Sequence, residues 1–111
     1  MNPHDKWTGA EKKIVRCAFD AALDVAVARI MADFKKKAAA VTTDSEMWAL
    51  EDYLRTQRQN LEYLFDYRYS QLCLVFGQLI HLGHLDETQL AGLSDQHMTE
   101  IRRVAKRIGE R

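Results

Sequence analysis

The sequence is poor in the residues that interrupt helices. Its 111 residues include one proline, Pro3, and five glycines. In a helix interior, proline costs about 3 kcal/mol and glycine about 1 kcal/mol relative to alanine. Alanine, leucine, arginine, lysine, glutamate and glutamine are instead abundant. The composition therefore predicts a chain that is nearly all helix.

Three other features are missing from the sequence, and the absence of each argues against one class of protein. No run of about 18 apolar residues exists that could span a membrane. The first residues, MNPHDKWTGAEKK, contain no apolar core of a signal peptide. Sixteen basic residues balance sixteen acidic ones, so no global field attracts nucleic acid or a membrane surface. We expect a single cytoplasmic domain.

Catalytic and metal-binding signatures are absent as well. There is no G-x-S-x-G, no glycine-rich phosphate loop and no H-E-x-x-H. Cys17 and Cys73 lie within apolar helical patterns without metal or redox spacing, and we expect both to be buried free thiols. The sequence therefore predicts a protein without enzymatic activity or a cofactor.

The four histidines do not change this expectation. His81 and His84 are three residues apart, but Gly83 breaks the helix between them and no fourth ligand is visible. His4 and His97 are isolated in the sequence. No metal site is predicted.

The longest uninterrupted helical pattern runs from Met47 to Leu82. Its apolar residues recur in steps of three, four or their sums, which predicts one helix face; they are Met47, Leu50, Leu54, Leu61, Leu64, Leu72, Val75 and Leu79. One unbroken helix of this length is about 54 Å long, whereas a compact domain of this size is roughly 35 Å across. We therefore expect an elongated molecule, with a second copy covering the remaining apolar surface.

Capping patterns predict the other boundaries. Residues 1–7 are expected to be a loose N-terminus, and Thr8 with Glu11 forms a capping box that starts a first helix of residues 9–40. Thr43 starts the second helix after a short turn, so the two helices are antiparallel neighbours. A short third helix follows at residues 86–92, and Ser94 caps a fourth at residues 95–107. The predicted fold is all-α and dimeric: a long antiparallel helical hairpin as a stalk (residues 1–82) and a small helical head (residues 83–111).

One row of the second helix has the composition of a protein interface. It carries Trp48, Asp52, Arg55 and Arg58, and tryptophan and arginine are enriched among the residues that dominate binding energy. A two-fold dimer would let Asp52 of one copy meet Arg58 of the other. The alternative is that Trp48 caps the core between the first two helices and the charges are solvated.

Two features near the head also stand out. Residues 63–69 contain four aromatic rings, which cannot all face one core, so some are expected to reach a partner or the head. Phe76 is expected to lie in the core where stalk and head meet. Gly77 beside it weakens a helix, which indicates a close helix approach or a bend.

Several of these segments together resemble a known family, the cyanobacterial fluorescence recovery protein family. The segments that carry the resemblance are Trp48-Ala49-Leu50-Glu51-Asp52-Tyr53-Leu54, Arg58, Asp66-Tyr67-Arg68-Tyr69-Ser70, Val75-Phe76-Gly77-Gln78-Leu79 and Leu90-Ala91-Gly92-Leu93. They match the family patterns W-x-L-x-D-[FY]-L-x-x-x-R, D-x-R-x-S and V-F-x-Q-L in the same order. One departure is Glu51, where cyanobacterial members often have histidine.

The resemblance implies an all-helical homodimer without chemistry of its own. Such a protein binds the photoactivated form of the orange carotenoid protein, mainly through the C-terminal domain of the carotenoid protein. It speeds the return of the carotenoid protein to the inactive form. By position, Trp48, Asp52 and Arg58 match the dimer and binding surface of the family, and Phe76 matches a functional residue of the head. Tyr53 and Arg55 lie in the same stretch and complete our candidate interface.

Two other functions remain open from the sequence. A homologue of this family in another host is expected to be a dimeric interaction or signalling protein with a different partner. Residues 85–107 also have the outline of a helix-turn-helix. Its second helix begins with Asp95 and Glu100 and carries its basic residues late, and acidic residues at that end would repel phosphate.

Overall fold

The structure, a computed structural model, describes residues 6–110. Over this range the chain forms four α-helices and one short 3₁₀ helix, and it contains no strand. In order they are α1 (Gly9–Ala39), α2 (Asp44–Leu64), α3 (Leu72–His81), the 3₁₀ helix (Glu87–Leu90) and α4 (Asp95–Gly109). The predicted all-α class is confirmed.

Local side-chain caps start the helices where the sequence predicts. The Thr8 hydroxyl accepts the backbone N–H of Glu11, and the Glu11 carboxylate accepts the backbone N–H of Thr8. Thr43 caps α2 and Ser94 caps α4 in the same way. The short helix predicted after Asp86 is a 3₁₀ helix, and Asp86 caps it.

The prediction of one helix continuing to Leu82 was wrong. Helix α2 ends at Leu64, and residues 65–71 are not helical before α3 begins at Leu72. No proline or glycine lies in this break. The Phe65 and Tyr67 rings instead pack edge-on against Phe19 of α1, with centroids 5.3 and 4.9 Å from its own. Packing these partly buried rings against α1 therefore outweighs helix propensity, which is a weak preference.

The core lies at one end of the molecule, and α3 is its centre. Helix α3 packs most extensively against α4, although its residues were predicted to belong to the stalk. The predicted close approach at Gly77 is confirmed, because a Cβ there would lie 2.5 Å from Val104 Cγ1. We call this end the head; its buried apolar residues are Trp7, Val15, Ala18, Phe19, Ala22, Leu72, Cys73, Val75, Phe76, Leu79, Leu85, Leu90, Leu93, Met98 and Ile101.

The rest of the molecule is a two-helix arm without a core of its own. The arm consists of the second half of α1, from residue 27, and α2. No residue from 27 to 71 is buried. The molecule measures 55 × 29 × 23 Å and its radius of gyration is 16.8 Å, compared with about 13 Å for a compact domain of this length. The predicted elongated shape is confirmed.

Candidate docking surface

The predicted interface row lies on the exposed side of α2. Trp48, Asp52, Arg55 and Arg58 follow one another in steps of four, three and three residues, so they share one side of the helix. Trp48 is 58% exposed, although tryptophan is usually well buried. The alternative in which Trp48 caps a core within one chain therefore does not describe this structure.

The charges of this row pair within α2. Arg55 forms ion pairs with Glu51 and, at 3.8 Å, with Asp52. Arg58 Nε lies 3.3 Å from Glu62 Oε1. Exposed pairs of this kind contribute only about 0.2–1 kcal/mol, so each side chain can exchange its partner at little cost. The predicted contact between Asp52 and Arg58 of two copies stays a prediction.

Tyr53 faces the other way, toward α1. Its hydroxyl donates to Asp33 Oδ2 at 2.8 Å, and Lys37 Nζ lies 5.0 Å from the centre of its ring. The hydrogen bond to Asp33, together with partial burial and the Asp33 charge, raises the pKa of Tyr53. Tyr53 therefore holds the two helices of the arm together, and the structure separates it from the other four predicted interface residues.

Phe76 has no exposed surface. It belongs to the core of the head with a relative exposure of 0%, and the residue after it, Gly77, lies close to α4. A partner cannot touch this side chain in this conformation, so any influence of Phe76 on binding must act through the packing of α3 against α4. Its predicted functional role remains a prediction.

The arm exposes further apolar side chains. Besides Trp48, five large apolar side chains on its two helices are exposed: Val27, Met31, Met47, Leu54 and Tyr63. Between the helices lies an open cleft of about 720 Å³, lined in part by Ile30, Leu61 and Leu64. Several large apolar side chains exposed on one part of a molecule are typical of an interaction site. We call Trp48, Asp52, Arg55, Arg58 and these five apolar residues the docking surface.

A buried polar cluster at the base of α1 was not predicted from the sequence. Trp7, expected in a loose terminus, is 7% exposed and stacks on the ring of His97 with centroids 3.7 Å apart. Its indole N–H donates to the backbone carbonyl of Tyr69. Glu11 Oε2 lies 2.7 Å from Nδ1 of His97 and accepts the backbone N–H of Ser94 at 3.0 Å. The expectations of a loose Trp7 and an isolated His97 were therefore wrong.

This cluster fixes the ionisation of Glu11. Burial alone would raise the pKa of Glu11, but hydrogen bonds donated by Ser94, His97 and Thr8 outweigh it and lower that pKa to about 2. The carboxylate is therefore ionised and accepts a hydrogen bond from Nδ1 of His97. The capping box pointed to Glu11 from the sequence. Nothing local pointed to His97, which lies 86 residues away.

Acid is expected to remove the stabilisation that the ionised Glu11 carboxylate provides. The pKa of Glu11 is about 2 in the folded protein against an ordinary value of 4.5, so the unfolded chain binds more protons between these values. Its contribution is complete above about pH 4.5 and is lost as the pH falls toward 2. Urea unfolding at several pH values should therefore show a steeper loss of stability for the natural chain than for Glu11→Gln. Equal slopes in that window would contradict the assignment.

The remaining candidate residues do not form a second site. Cys73 is buried, as predicted, and burial with the charges of Glu100 and Glu11 raises its pKa to about 12. Cys17 is exposed, so the prediction of a buried thiol there was wrong. His4 lies outside the described residues. Residues 6–110 contain no group of three or more histidine, cysteine or acidic side chains that could hold a metal ion.

Two further findings bear on the expected partners. Within residues 6–110, no helix has both the length and the apolar character that crossing a bilayer requires. On α4, Arg102 pairs with Glu87 and Arg103 with Glu100. These two arginines of the outlined helix-turn-helix are thus already engaged with carboxylates, and nucleic-acid binding stays an untested alternative.

Comparison with known proteins matches residues 7–105 to a family described as photoprotection regulator fluorescence recovery protein. The chain belongs to the fluorescence recovery protein family. The family match begins at Trp7, the residue that anchors the base of α1, and it includes every residue of the docking surface. The resemblance carried by Trp48 to Leu93 is confirmed, and the match extends beyond it at both ends.

Individual members of the fluorescence recovery protein family agree in sequence and fold. The Fluorescence recovery protein of Synechocystis sp. PCC 6803 is 25% identical over 100 residues, which is 90% of this chain and 92% of that protein. The structure of the Fremyella diplosiphon Fluorescence Recovery Protein is 27% identical with a TM-score of 0.86, covering 91% of this chain and 99% of that one. The Synechocystis structure gives the same TM-score of 0.86 and the same coverage, 91% and 99%, at 25% identity. The arm and head are therefore the fold of this family of photoprotection regulators.

Proposed function

We propose that this photoprotection regulator binds the photoactivated orange carotenoid protein and speeds its return to the inactive form, without catalytic chemistry of its own. The observation that carries the proposal is the docking surface: the chain exposes Trp48 and a row of charges on an arm with no buried residue. Membership of the fluorescence recovery protein family supports the choice of partner. The protein is expected to act in the cytoplasm.

The mechanism is a shift of populations by selective binding. A ligand moves an equilibrium between two conformers only as far as its affinities for them differ. A regulator of this kind therefore accelerates recovery by binding more tightly to a state on the way back to the inactive form than to the photoactivated state. An elongated arm joined to a packed head gives two separate surfaces, which suits contact with two parts of one partner.

The same surface is proposed to form a homodimer. Residues 27–71 bury no side chain within one chain, and ordering a long hairpin costs about 1–2 kcal/mol per residue in backbone entropy. A second copy related by a two-fold axis would cover Trp48 and its apolar neighbours and would place like surfaces against each other. In such a dimer, Asp52 of one copy is expected to pair with Arg58 of the other.

Reversing one of these charges is expected to release monomers. Asp52→Arg or Arg58→Glu places like charges together across the interface, and the dissociation constant should rise by at least about tenfold, or about 1.4 kcal/mol. Size exclusion with light scattering measures the monomer fraction. Lys13→Glu, an exposed substitution near the head, serves as the control and should leave the mass unchanged.

The double variant Asp52→Arg with Arg58→Glu makes this test specific. If the two residues face each other across the two-fold axis, the exchanged charges attract again and the double variant regains the dimer. An unchanged mass in both single variants would show that these residues lie outside the interface.

The proposed activity is tested by timing recovery in the dark. Photoactivated orange carotenoid protein is mixed with the natural chain, and return of the orange absorption spectrum is followed with time. We expect faster recovery with the natural chain and less acceleration with Trp48→Ala, while Lys13→Glu should match the natural chain. Recovery at the unassisted rate would overturn this choice of partner and point to a dimeric interaction protein with another partner.

A further inference from the structure

Arg29 of α1 reaches across to the end of α3. Its Nη1 donates to the carbonyl oxygen of Leu82 at 3.3 Å, and its Nη2 donates to that of Gly83 at 2.9 Å. The last carbonyls of a helix have no partner within the helix, so Arg29 satisfies groups that α3 leaves open. Nη1 also lies 3.0 Å from Nδ1 of His84. One side chain thus joins α1 to the end of α3 through three contacts.

The contact with His84 fixes the protonation state of that ring. A guanidinium group has only donors and stays charged in proteins. Nδ1 of His84 must therefore accept, which requires a neutral ring with its proton on Nε2. A proton on Nδ1 would set N–H against N–H, and in the doubly protonated ring it would also place two positive charges side by side.

The turn after α3 holds His84 in this position. Gly83 has a φ of +76°, a conformation that favours glycine. The backbone N–H of His84 donates to Leu79 at 3.0 Å and that of Gly83 to Ile80 at 3.1 Å, an arrangement typical of a helix that ends on glycine. These two amides report directly on whether the turn is intact.

The surroundings favour the neutral ring. His84 lines two open clefts, and the other titratable groups lining them besides Arg29 are Asp33 and Lys36 of α1, Tyr53 of α2, and Asp86 and Glu87 at the 3₁₀ helix. The three carboxylates have other partners. Asp33 accepts from the Tyr53 hydroxyl, Asp86 accepts from the backbone N–H of Thr88, and Glu87 pairs with Arg102. Burial, followed by the positive charge of Arg29, lowers the pKa of His84.

We propose that Arg29 and His84 form a proton-sensitive latch, which fastens the end of α3 to α1 while His84 is neutral and opens when His84 binds a proton. Arg29, Leu82 and His84 also line the cleft between α1 and α2. Opening the latch therefore loosens the head from the arm at the mouth of that cleft. The latch depends only on contacts within one chain, so it stands whatever partner the docking surface binds.

Nuclear magnetic resonance of the full chain tests the latch without any partner. The ring nitrogens of His84 should show the neutral form with the proton on Nε2 at pH 8, and its titration should fall below the ordinary histidine range. Hydrogen exchange of the Gly83 and His84 amides, corrected for the intrinsic effect of pH, should lose protection as His84 becomes protonated. A proton on Nδ1 at pH 8, or protection unchanged by that titration, would overturn the proposal.

Three variants separate the latch from general acid effects. His84→Gln keeps an oxygen that accepts from Arg29 but does not titrate, so protection of the two amides should stay constant over the same pH range. Arg29→Met removes the donor, and the pKa of His84 should rise toward its ordinary value. His81→Gln, a change of the exposed histidine that ends α3, should behave as the natural chain. The same loss of protection in His84→Gln as in the natural chain would contradict the latch.

Discussion

Replacing Phe76 by alanine is expected to lower the free energy of unfolding by about 3–5 kcal/mol. Phe76 is completely buried, and Leu72 and Leu79 of the same helix are also completely buried. Removing the ring takes its apolar surface out of the core and leaves a cavity that rigid neighbours fill only in part. Urea unfolding followed by circular dichroism measures the loss.

Phe76→Leu is the matched control, because it keeps much of the apolar volume and should cost less than the alanine variant. A loss below about 1 kcal/mol for Phe76→Ala would show that the head does not depend on this ring.

The predicted role of Phe76 in partner binding is tested on the same two variants. If Phe76 acts through the packing of the head, weakened partner binding should follow the loss of stability, and the dimer should persist in Phe76→Leu.

Replacing Trp7 by alanine is expected to cost a similar amount, about 3–5 kcal/mol. Trp7 covers the ring of His97 and donates its indole N–H to Tyr69. Its loss exposes the hydrogen bond between His97 and Glu11, whose side chains are otherwise buried. The base of α1 would then lose its attachment to α4, and thermal or urea unfolding should show the effect.

Trp7→Phe separates the stacking from the hydrogen bond. Phenylalanine keeps an aromatic ring over His97 but has no N–H for Tyr69, so we expect a smaller loss near 1 kcal/mol. Alanine and phenylalanine variants of equal stability would contradict the stacking role. A natural-like stability in Trp7→Ala would mean that residues before α1 contribute nothing to the head.

Local patterns predicted the helix starts because each cap involves residues three positions apart. Thr8 with Glu11, Thr43 with Glu46, and Ser94 with His97 all form as their spacing indicated. The sequence favoured an exposed Trp48, because a single row combined tryptophan with paired charges, but it left the buried alternative open until the structure showed 58% exposure. The five predicted interface residues nevertheless separate in the structure, since Tyr53 turns toward α1.

The break at residues 65–71 could not be predicted from local sequence. No proline or glycine marks it, and the rings that oppose the helix pack on Phe19, more than 40 residues earlier in the chain. The same holds for Glu11 and His97, and for Arg29 and His84, which meet only after the chain has folded. Contacts between residues distant in sequence, rather than local preference, determine these features.

The most direct test of the proposed homodimer is the solvent accessibility of Trp48 in solution. In Trp7→Phe, Trp48 is the only tryptophan, so acrylamide quenching of its fluorescence reports on this one ring. A single chain exposes 58% of it. If a second copy covers this surface, we expect Trp48 to be shielded from acrylamide at high protein concentration. On dilution the second copy dissociates, and the fluorescence of Trp48 should become readily quenched. Quenching as strong as that of an exposed tryptophan at every concentration would contradict the claim that a second copy covers this surface.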